Sequence, residues 1–240
     1  MKKFEKCHKQ NGFTLLEILI SILILSIALS TVFGSFNSVF SGIDAIEDNS
    51  YIYEMGKNCL NIMSCDLRAI CVTSLPKYKI PEINSIPDAY RIVGDSYSDF
   101  SKIRFSSSAH ISFDKNLKNK LNSQEANAEI IYYVQKSQEN LDSFVLKRSD
   151  RAYPYQYYQD ARFEESEFDP ILCENIKSFK IKYYNQEGYE YDNWNSESFE
   201  FKYSTPKAIK IELELQKNSV IANFETVIDL PTYREYVENK

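Results

Sequence analysis

The chain has little glycine and histidine, and their scarcity excludes several classes of active site. Its 240 residues include six glycines and two histidines, His8 and His110. No glycine-rich loop of the kind that binds phosphates is present. Because His8 lies in the basic leader, a Ser/His/Asp or Cys/His site would depend on His110 alone. We therefore expect no enzyme activity, no catalytic residue and no cofactor.

Cysteines with metal-binding spacing are also lacking. The five cysteines form no CxxC pair and no Cys/His pair of the zinc type, so we expect no metal site. Cys59, Cys65 and Cys71 follow one another every six residues in a predicted helix, about 9 Å apart along its axis. That distance exceeds the Cα separation of about 7 Å that a disulfide allows. A disulfide would require Cys173 or another chain, and unpaired thiols are favoured over one structural disulfide.

Basic charge is scarce outside the N-terminus. The net charge is −6, of which the first twelve residues, with four lysines and one glutamate, contribute +3, leaving −9 for the remainder. A general nucleic-acid binder needs clustered Lys and Arg, so we expect no nucleic-acid partner. The tyrosine-rich residues 153–158 favour core capping or a protein contact over base stacking. The acidic residues 187–200 favour a solvated loop over a Ca²⁺ site.

What the chain does contain is one long apolar run. Residues 13–33 provide about twenty positions, enough to cross roughly 30 Å of hydrocarbon as a helix. Their only charge is Glu17, and a carboxylate costs about 2.5–3.5 kcal/mol at the centre of a membrane helix, so it needs a partner. The lysines before the run and the acidic chain after it predict a cytoplasmic N-terminus and an extracytoplasmic remainder. An uncleaved signal-anchor is the simplest such arrangement.

The helix is expected to continue well beyond the apolar run. No proline interrupts residues 34–75, so the helix should extend from Phe13 to about residues 72–74. Its second half should be amphipathic. The apolar positions at helical spacing are Ile43, Ile46, Cys59, Ile62 or Met63, Leu67 and Ile70.

Short strand-like runs fill the rest of the chain. Residues 75–98, with three prolines, predict an irregular connection. Strands are expected at residues 100–105, 128–135, 143–148, 176–184, 199–203, 208–215 and 219–230, the second and third forming a hairpin. Strands joined by turns, with no helices between them, predict an antiparallel sheet. The fold class is therefore α+β, with a long N-terminal helix packed on an antiparallel β-sheet head.

The residues around Glu17 resemble the class III signal of type IV pilins and type II secretion pseudopilins. The resemblance rests on the run Gly12-Phe13-Thr14-Leu15-Leu16-Glu17 and the apolar helix behind it. It implies that a prepilin peptidase cleaves between Gly12 and Phe13 and that Phe13 becomes the N-methylated first residue. It also implies a partner for Glu17, the new amine on Phe13 of a neighbouring subunit in a filament.

Weaker features resemble the J-type minor pseudopilin of type II secretion. They are Met55, Met63, residues 66–68, residues 146–148, residues 176–184, Gly188, Trp194 and residues 205–211. This resemblance implies a non-catalytic subunit that joins the I-type, K-type and major pseudopilins at the filament tip, where it helps to initiate assembly and the export of folded proteins. Minor pilins of a type IV pilus, of the W type, or of a DNA-uptake pilus share several of these features and are the alternative.

The pilin-like interpretation divides the chain into four parts. They are a cleaved leader (1–12), a transmembrane and filament-core helix (13–35), the amphipathic half of the helix (36–74) and a periplasmic head (75–240). It places the protein in the bacterial inner membrane as a single-pass protein with a cytoplasmic N-terminus.

Overall fold

A computed structural model describes residues 13–82, 87–109, 127–138, 143–152, 166–218 and 220–237. The chain divides into two compact units, Met1–Asp48 and Asn49–Lys240. Helix α1 spans Leu15–Arg68 and contributes to both units. All the described strands belong to the second unit. The architecture is α+β and consistent with a pilin-like fold, as the sequence predicts.

Helix α1 ends earlier than the sequence predicts. It stops at Arg68 rather than at residues 72–74, because Ile70–Cys71 form strand β1 instead. The hydroxyl of Ser107, on the strand that pairs with β1, donates to the carbonyl oxygen of Asp66 at 2.8 Å. It thereby satisfies one of the carbonyl groups that a helix end leaves unpaired. A partner far along the chain therefore sets this helix end.

The buried face of α1 belongs to the second unit. Its core residues are Ile52, Cys59, Met63 and Leu67, at spacings of seven, four and four residues. The sequence pattern assigns Ile43 and Ile46 to the same face, but both lie in the first unit, where they are 42% and 69% exposed. The amphipathic part of the helix is thus shorter than expected.

Eleven strands in the described residues join into one sheet. They are β1 (Ile70–Cys71), β2 (Val93–Tyr97), β3 (Phe100–Ser107), β4 (Ala128–Lys136), β5 (Phe144–Ala152), β6 (Ile171–Cys173), β7 (Ile176–Tyr184), β8 (Glu190–Tyr191), β9 (Trp194–Asn195), β10 (Ala208–Lys217) and β11 (Val220–Asp229). Their order is β11-β10-β7-β3-β4-β5-β6, with β1 and β2 also paired to β3, β8 to β7 and β9 to β2.

Two antiparallel pairs span the full length of their strands. β4 pairs with β5, which confirms the predicted hairpin, and β10 pairs with β11. Along β10 the buried residues alternate with partly exposed ones, as the period of two in its sequence predicts. The buried residues of this strand face the same core as α1.

The sheet differs from the expectation in several places. Strand β2 lies within residues 75–98, which the sequence predicts to be irregular, and β6, β8 and β9 have no counterpart among the predicted strands. β3 and β7 meet in parallel, at the pair Phe100 and Phe179, so the sheet is mixed rather than purely antiparallel. Residues 199–203 do not form a strand, because Phe199–Phe201 is a 3₁₀ helix with Ser198 as its N-cap. This turn buries one of its two phenylalanine rings in the core.

Candidate functional site

The first turn of α1 contains reciprocal hydrogen bonds between Thr14 and Glu17. The Glu17 amide donates to Thr14 Oγ1 at 3.3 Å, and Glu17 Oε2 accepts from both the amide and the hydroxyl of Thr14 at 3.0 Å. This is a capping box, with Thr14 as the N-cap. It explains why α1 begins at Leu15 rather than at Phe13. The Thr-x-x-Glu spacing in the sequence indicates this capping box. The resemblance to the prepilin signal implies only an intersubunit partner for Glu17.

The hydroxyl groups of the apolar helix are satisfied by its own backbone. Each of the following donates to a carbonyl oxygen three or four residues earlier at 2.7–2.9 Å: Ser21, Ser26, Ser30, Thr31 and Ser35. An unsatisfied hydrogen-bonding group in hydrocarbon costs several kcal/mol. These bonds therefore suit the helix to an apolar environment.

One helix among the described residues is long and apolar enough to cross a membrane. It is the stretch Leu15–Phe40, near the N-terminus, and none of it is buried inside the protein. Glu17 is its only charged residue. The apolar surface of this stretch is left to contact a bilayer or other chains.

The N-terminal segment also has a counterpart among known proteins. Residues 7–33 match the prokaryotic N-terminal methylation motif. This is the prepilin signal of type IV pilin-like proteins, which are structural rather than enzymatic in general. The methylation motif implies processing by a prepilin peptidase and assembly with other pilin-like subunits, and the span Leu15–Phe40 fits the membrane anchor of such a protein. No curated protein matches the sequence.

The methylation motif contains all three residues that the sequence singles out. Gly12 lies outside the described residues. Phe13 immediately precedes the helix cap, and 85% of its surface is exposed. Glu17 lies one turn later, where its side chain is already engaged by Thr14.

A buried ion pair joins the end of α1 to the sheet. Asp66 accepts hydrogen bonds from Arg148 Nε at 2.7 Å and from Arg148 Nη2 at 3.2 Å. The Tyr132 hydroxyl also donates to Asp66, and Asp150 accepts from Arg148 Nη1 at 2.6 Å. The side chains of Asp66 and Arg148 are 2% and 3% exposed. Both charges are therefore paired and hydrogen-bonded, which a buried ion requires.

The surroundings of this ion pair raise the pKa values of Arg148 and Tyr132. Burial lowers the pKa of Arg148, but its hydrogen bonds to Asp66, the charge of Asp66 and the Asp150 contact outweigh burial and raise the pKa overall. Burial, followed by the negative charge of Asp66, raises the pKa of Tyr132 well above its usual value. Arg148 therefore stays charged and Tyr132 neutral at physiological pH. The cluster is a structural link rather than an acid–base pair.

A second buried arginine fastens the C-terminal segment to the rest of the sheet unit. The Arg234 guanidinium donates to three carbonyl oxygens at 2.7–2.9 Å, those of Tyr203, Ser196 and Thr73. It also lies 3.3 Å from Asp88 Oδ2 and 3.4 Å from the centre of the Tyr78 ring. Its partners come from separate parts of the chain, so no local sequence pattern signals this contact.

The acidic residues 187–200 are engaged largely by protein donors. Glu190 and Asp192 form ion pairs with Lys182. Glu197 Oε1 accepts the amide hydrogen of Asp88 at 2.5 Å, and burial raises the pKa of Glu197. In the part of the chain that the structure describes, no group of three or more His, Cys, Asp or Glu side chains is placed to hold a metal ion.

The remaining sequence candidates fall into two groups. His110 and the tyrosine-rich residues 153–158 lie outside the described residues. The four described cysteines are unbridged in this structure: Cys59 and Cys173 are buried, Cys71 is half-buried and Cys65 is exposed.

Proposed function

We propose that the chain is a minor pseudopilin of a type II secretion system. In this role it is a non-catalytic subunit at the pseudopilus tip that helps to initiate assembly and the export of folded proteins. The observation that carries the proposal is the methylation motif at residues 7–33. The motif overlaps an apolar helical stretch of which no part is buried. The unit that contains the β-sheet follows in the chain.

Maturation, in this proposal, begins with a cut between Gly12 and Phe13 by a prepilin peptidase, which then methylates the Phe13 amine. Support comes from the exposure of Phe13 and from its place before the N-cap residue Thr14. Because the cut lies upstream of Thr14, it leaves the capping box intact. It also removes the leader, whose charge is +3.

The new amine then has a partner in Glu17 of a neighbouring subunit. Glu17 Oε2 is held by Thr14, whereas Oε1 accepts no hydrogen bond from the described residues. An amine and a carboxylate that pair in apolar surroundings offset the desolvation cost of both ions. The pair also sets the axial register of the subunits, as a buried polar residue does in a coiled coil.

The proposed location is the inner membrane, with the N-terminus in the cytoplasm and the sheet unit in the periplasm. The charge of +3 on residues 1–12 and of −9 on the remainder of the chain favours this orientation. Filament assembly transfers the stretch Leu15–Phe40 from the bilayer to the filament core. The five hydroxyl groups that donate to backbone carbonyl oxygens of the helix need no outside partner in either place.

The proposed partners are the I-type, K-type and major pseudopilins. The J-type resemblance supports them, and two of the segments that carry it, residues 66–68 and 146–148, meet in the ion pair between Asp66 and Arg148. This link fastens helix to sheet. A W-type minor pilin of a type IV pilus, or of a DNA-uptake pilus, is the alternative function.

Deletion of the gene in the source bacterium, with complementation by the full-length chain, tests the proposal. We expect the export of folded proteins to stop and surface pili to remain, and we expect cross-linked mature subunit to co-purify with other pseudopilins. Loss of pili with normal export would instead favour the type IV pilus alternative. Salt-dependent DNA binding by the purified chain, together with loss of DNA uptake, would favour the uptake pilus.

A further inference from the structure

Cys59 and Cys173 belong to one cluster of buried residues in the core of the sheet unit, although 114 residues separate them in the sequence. Cys59 belongs to α1 and Cys173 ends β6. Their exposed fractions are 0% and 1%, and hydrogen bonding to Cys59 is the first cause that raises the pKa of Cys173. The sequence alone does not indicate this pair, because only the fold brings the two elements together.

A second contact holds the same two elements together. The amide of Glu174, the residue after Cys173, donates to Met55 Sδ at 3.4 Å. Met55 lies one helical turn before Cys59 on α1. The approach of β6 to the helix is therefore defined by two neighbouring contacts, one through backbone and one through side chains.

Strand β6 is short and lies at the end of the sheet order. This three-residue strand is the last in the sheet order and pairs with β5 at Leu146 and Lys147, with an irregular register between them. A covalent bond to α1 would fix this short strand. The other two described thiols differ, because Cys65 is exposed and Cys71 donates to Asn127 Oδ1 at 3.5 Å.

We propose that Cys59 and Cys173 form an intramolecular disulfide in the mature protein. The proposal rests on the proposed function in one respect, the placement of the sheet unit outside the cytoplasm, where disulfides persist. The bond staples α1 to the edge of the sheet and closes a loop of more than a hundred residues. Such a bond stabilises a fold mainly by restricting the unfolded chain.

The bond forms by thiol–disulfide exchange with a disulfide-bearing thiol oxidant. The thiolate of one cysteine attacks the oxidant's disulfide, forms a mixed disulfide and releases one thiolate. The second cysteine, also as thiolate, attacks the mixed disulfide and releases the other. Two cysteine thiols lose two protons and two electrons, and the oxidant becomes two thiols. Because both thiols are buried in the closed fold, an oxidant reaches them before β6 docks.

Alkylation of the full-length chain in its own cells tests the proposal. Cells are lysed in denaturant with a maleimide, and the thiols are counted and mapped by mass spectrometry before and after reduction. The mature chain has four cysteines. We expect two labelled thiols, Cys65 and Cys71, before reduction and four after it, with a linked peptide that joins Cys59 to Cys173. The Cys65→Ser control should keep this link.

A membrane-impermeant maleimide, applied to intact spheroplasts, separates this proposal from the proposed function. Labelling of Cys65 places the sheet unit outside the cytoplasm, and its absence contradicts that placement. Four free thiols, or a link that uses Cys65 or Cys71, overturn the disulfide whichever result the spheroplasts give.

Thermal unfolding provides a readout that two merely adjacent thiols would not change. Reduction in denaturant, followed by refolding in detergent with the reductant present, should lower the unfolding midpoint of the purified full-length chain by roughly 10 °C. The same treatment should not move the midpoint of Cys173→Ser. An equal midpoint of the native chain with and without reductant would also overturn the proposal.

Discussion

At the residue scale, Glu17 has two oxygens and two proposed uses for them. Oε2 caps α1 within the chain, and the amine of a neighbour's Phe13 is the proposed partner of the other oxygen. Glutamine at this position keeps the hydrogen-bond acceptor of a capping box but has no charge, whereas alanine keeps neither. The two substitutions therefore separate helix capping from intersubunit pairing.

We predict that Glu17→Ala and Glu17→Gln are both inserted and processed normally, because the cleavage site precedes the helix. Incorporation of either variant into filaments should fall at least about tenfold, since an unpaired amine in apolar surroundings costs several kcal/mol. Immunoblots of the processed subunit in membrane and sheared-filament fractions measure both steps. Normal incorporation of Glu17→Gln would show that capping alone matters and would contradict the ion pair.

A second prediction at the residue scale concerns the Asp66 carboxylate. Asp66→Ala removes the main partner of the buried Arg148 and should lower the free energy of unfolding by about 3 kcal/mol. Glu214→Ala, which breaks an exposed pair with Lys177, is the control and should cost less than about 1 kcal/mol. Urea unfolding of the full-length chain in detergent, followed by the fluorescence of Trp194, gives both values. Equal losses of unfolding free energy in the two variants would contradict a larger contribution from the buried pair.

Tyr78 predicts a dependence of stability on alkaline pH. Burial raises its pKa to about 12, although the charge of Arg234 opposes the shift. Because the folded pKa lies above the usual value of about 10, the folded chain holds this proton more tightly, so stability is complete below pH 10 and falls as the pH rises towards 12.

Tyr78→Phe should match the native chain at pH 7, because the buried hydroxyl has no hydrogen-bond partner among the described residues. Between pH 10 and 12, the free energy of unfolding of this variant should decline less steeply. Superimposable pH profiles for the two proteins would contradict the account of this tyrosine.

At the element scale, the position of β2 depends on a residue without a side chain. A Cβ atom at Gly94 would overlap the hydroxyl end of Tyr183, whose ring is fully buried and cannot move aside. We predict that Gly94→Ala lowers the free energy of unfolding by about 1–3 kcal/mol, the usual cost of overpacking. Tyr97→Ala, at an exposed position on the same strand, should change it by less than about 0.5 kcal/mol. A Gly94→Ala protein as stable as this control would contradict the packing.

Elements with a strong local pattern could be predicted from the sequence, and those set by distant partners could not. The period of two in β10 and the polar tract between β4 and β5 gave the correct strands and hairpin. The end of α1 was placed too late, because the pairing of β1 with Ser106 and Ser107 decides it. The 3₁₀ helix Phe199–Phe201 was mistaken for a strand, because a short aromatic run does not distinguish the two.

The same division holds for the candidate site. The signal around Gly12 and Phe13 lies within a few consecutive residues, so it can be recognised without a structure. The partners of Asp66, Arg234 and Cys59 lie far away in the sequence, and only the fold identifies them. Glu17 is the intermediate case, since the Thr-x-x-Glu spacing indicates its local partner, whereas its proposed second partner, Phe13, belongs to a neighbouring chain.

At the scale of the whole molecule, the chain consists of two units that differ in composition and burial. The first carries the methylation motif and an apolar helix of which no part is buried. The second has an aromatic and aliphatic core with buried, paired charges. The proposed function requires both units. Its central claim is that the apolar helix lies in the bilayer before filament assembly and that the folded head lies outside the bilayer.

Mass spectrometry of the mature N-terminus, on the full-length chain purified from its source membranes, tests that claim most directly. The account predicts a chain that lacks residues 1–12 and begins with N-methylated Phe13, and a Gly12→Ala variant that accumulates uncut because the peptidase cleaves after glycine. A chain that still begins at Met1, or one cut after the apolar helix as a secretory signal would be, would contradict it.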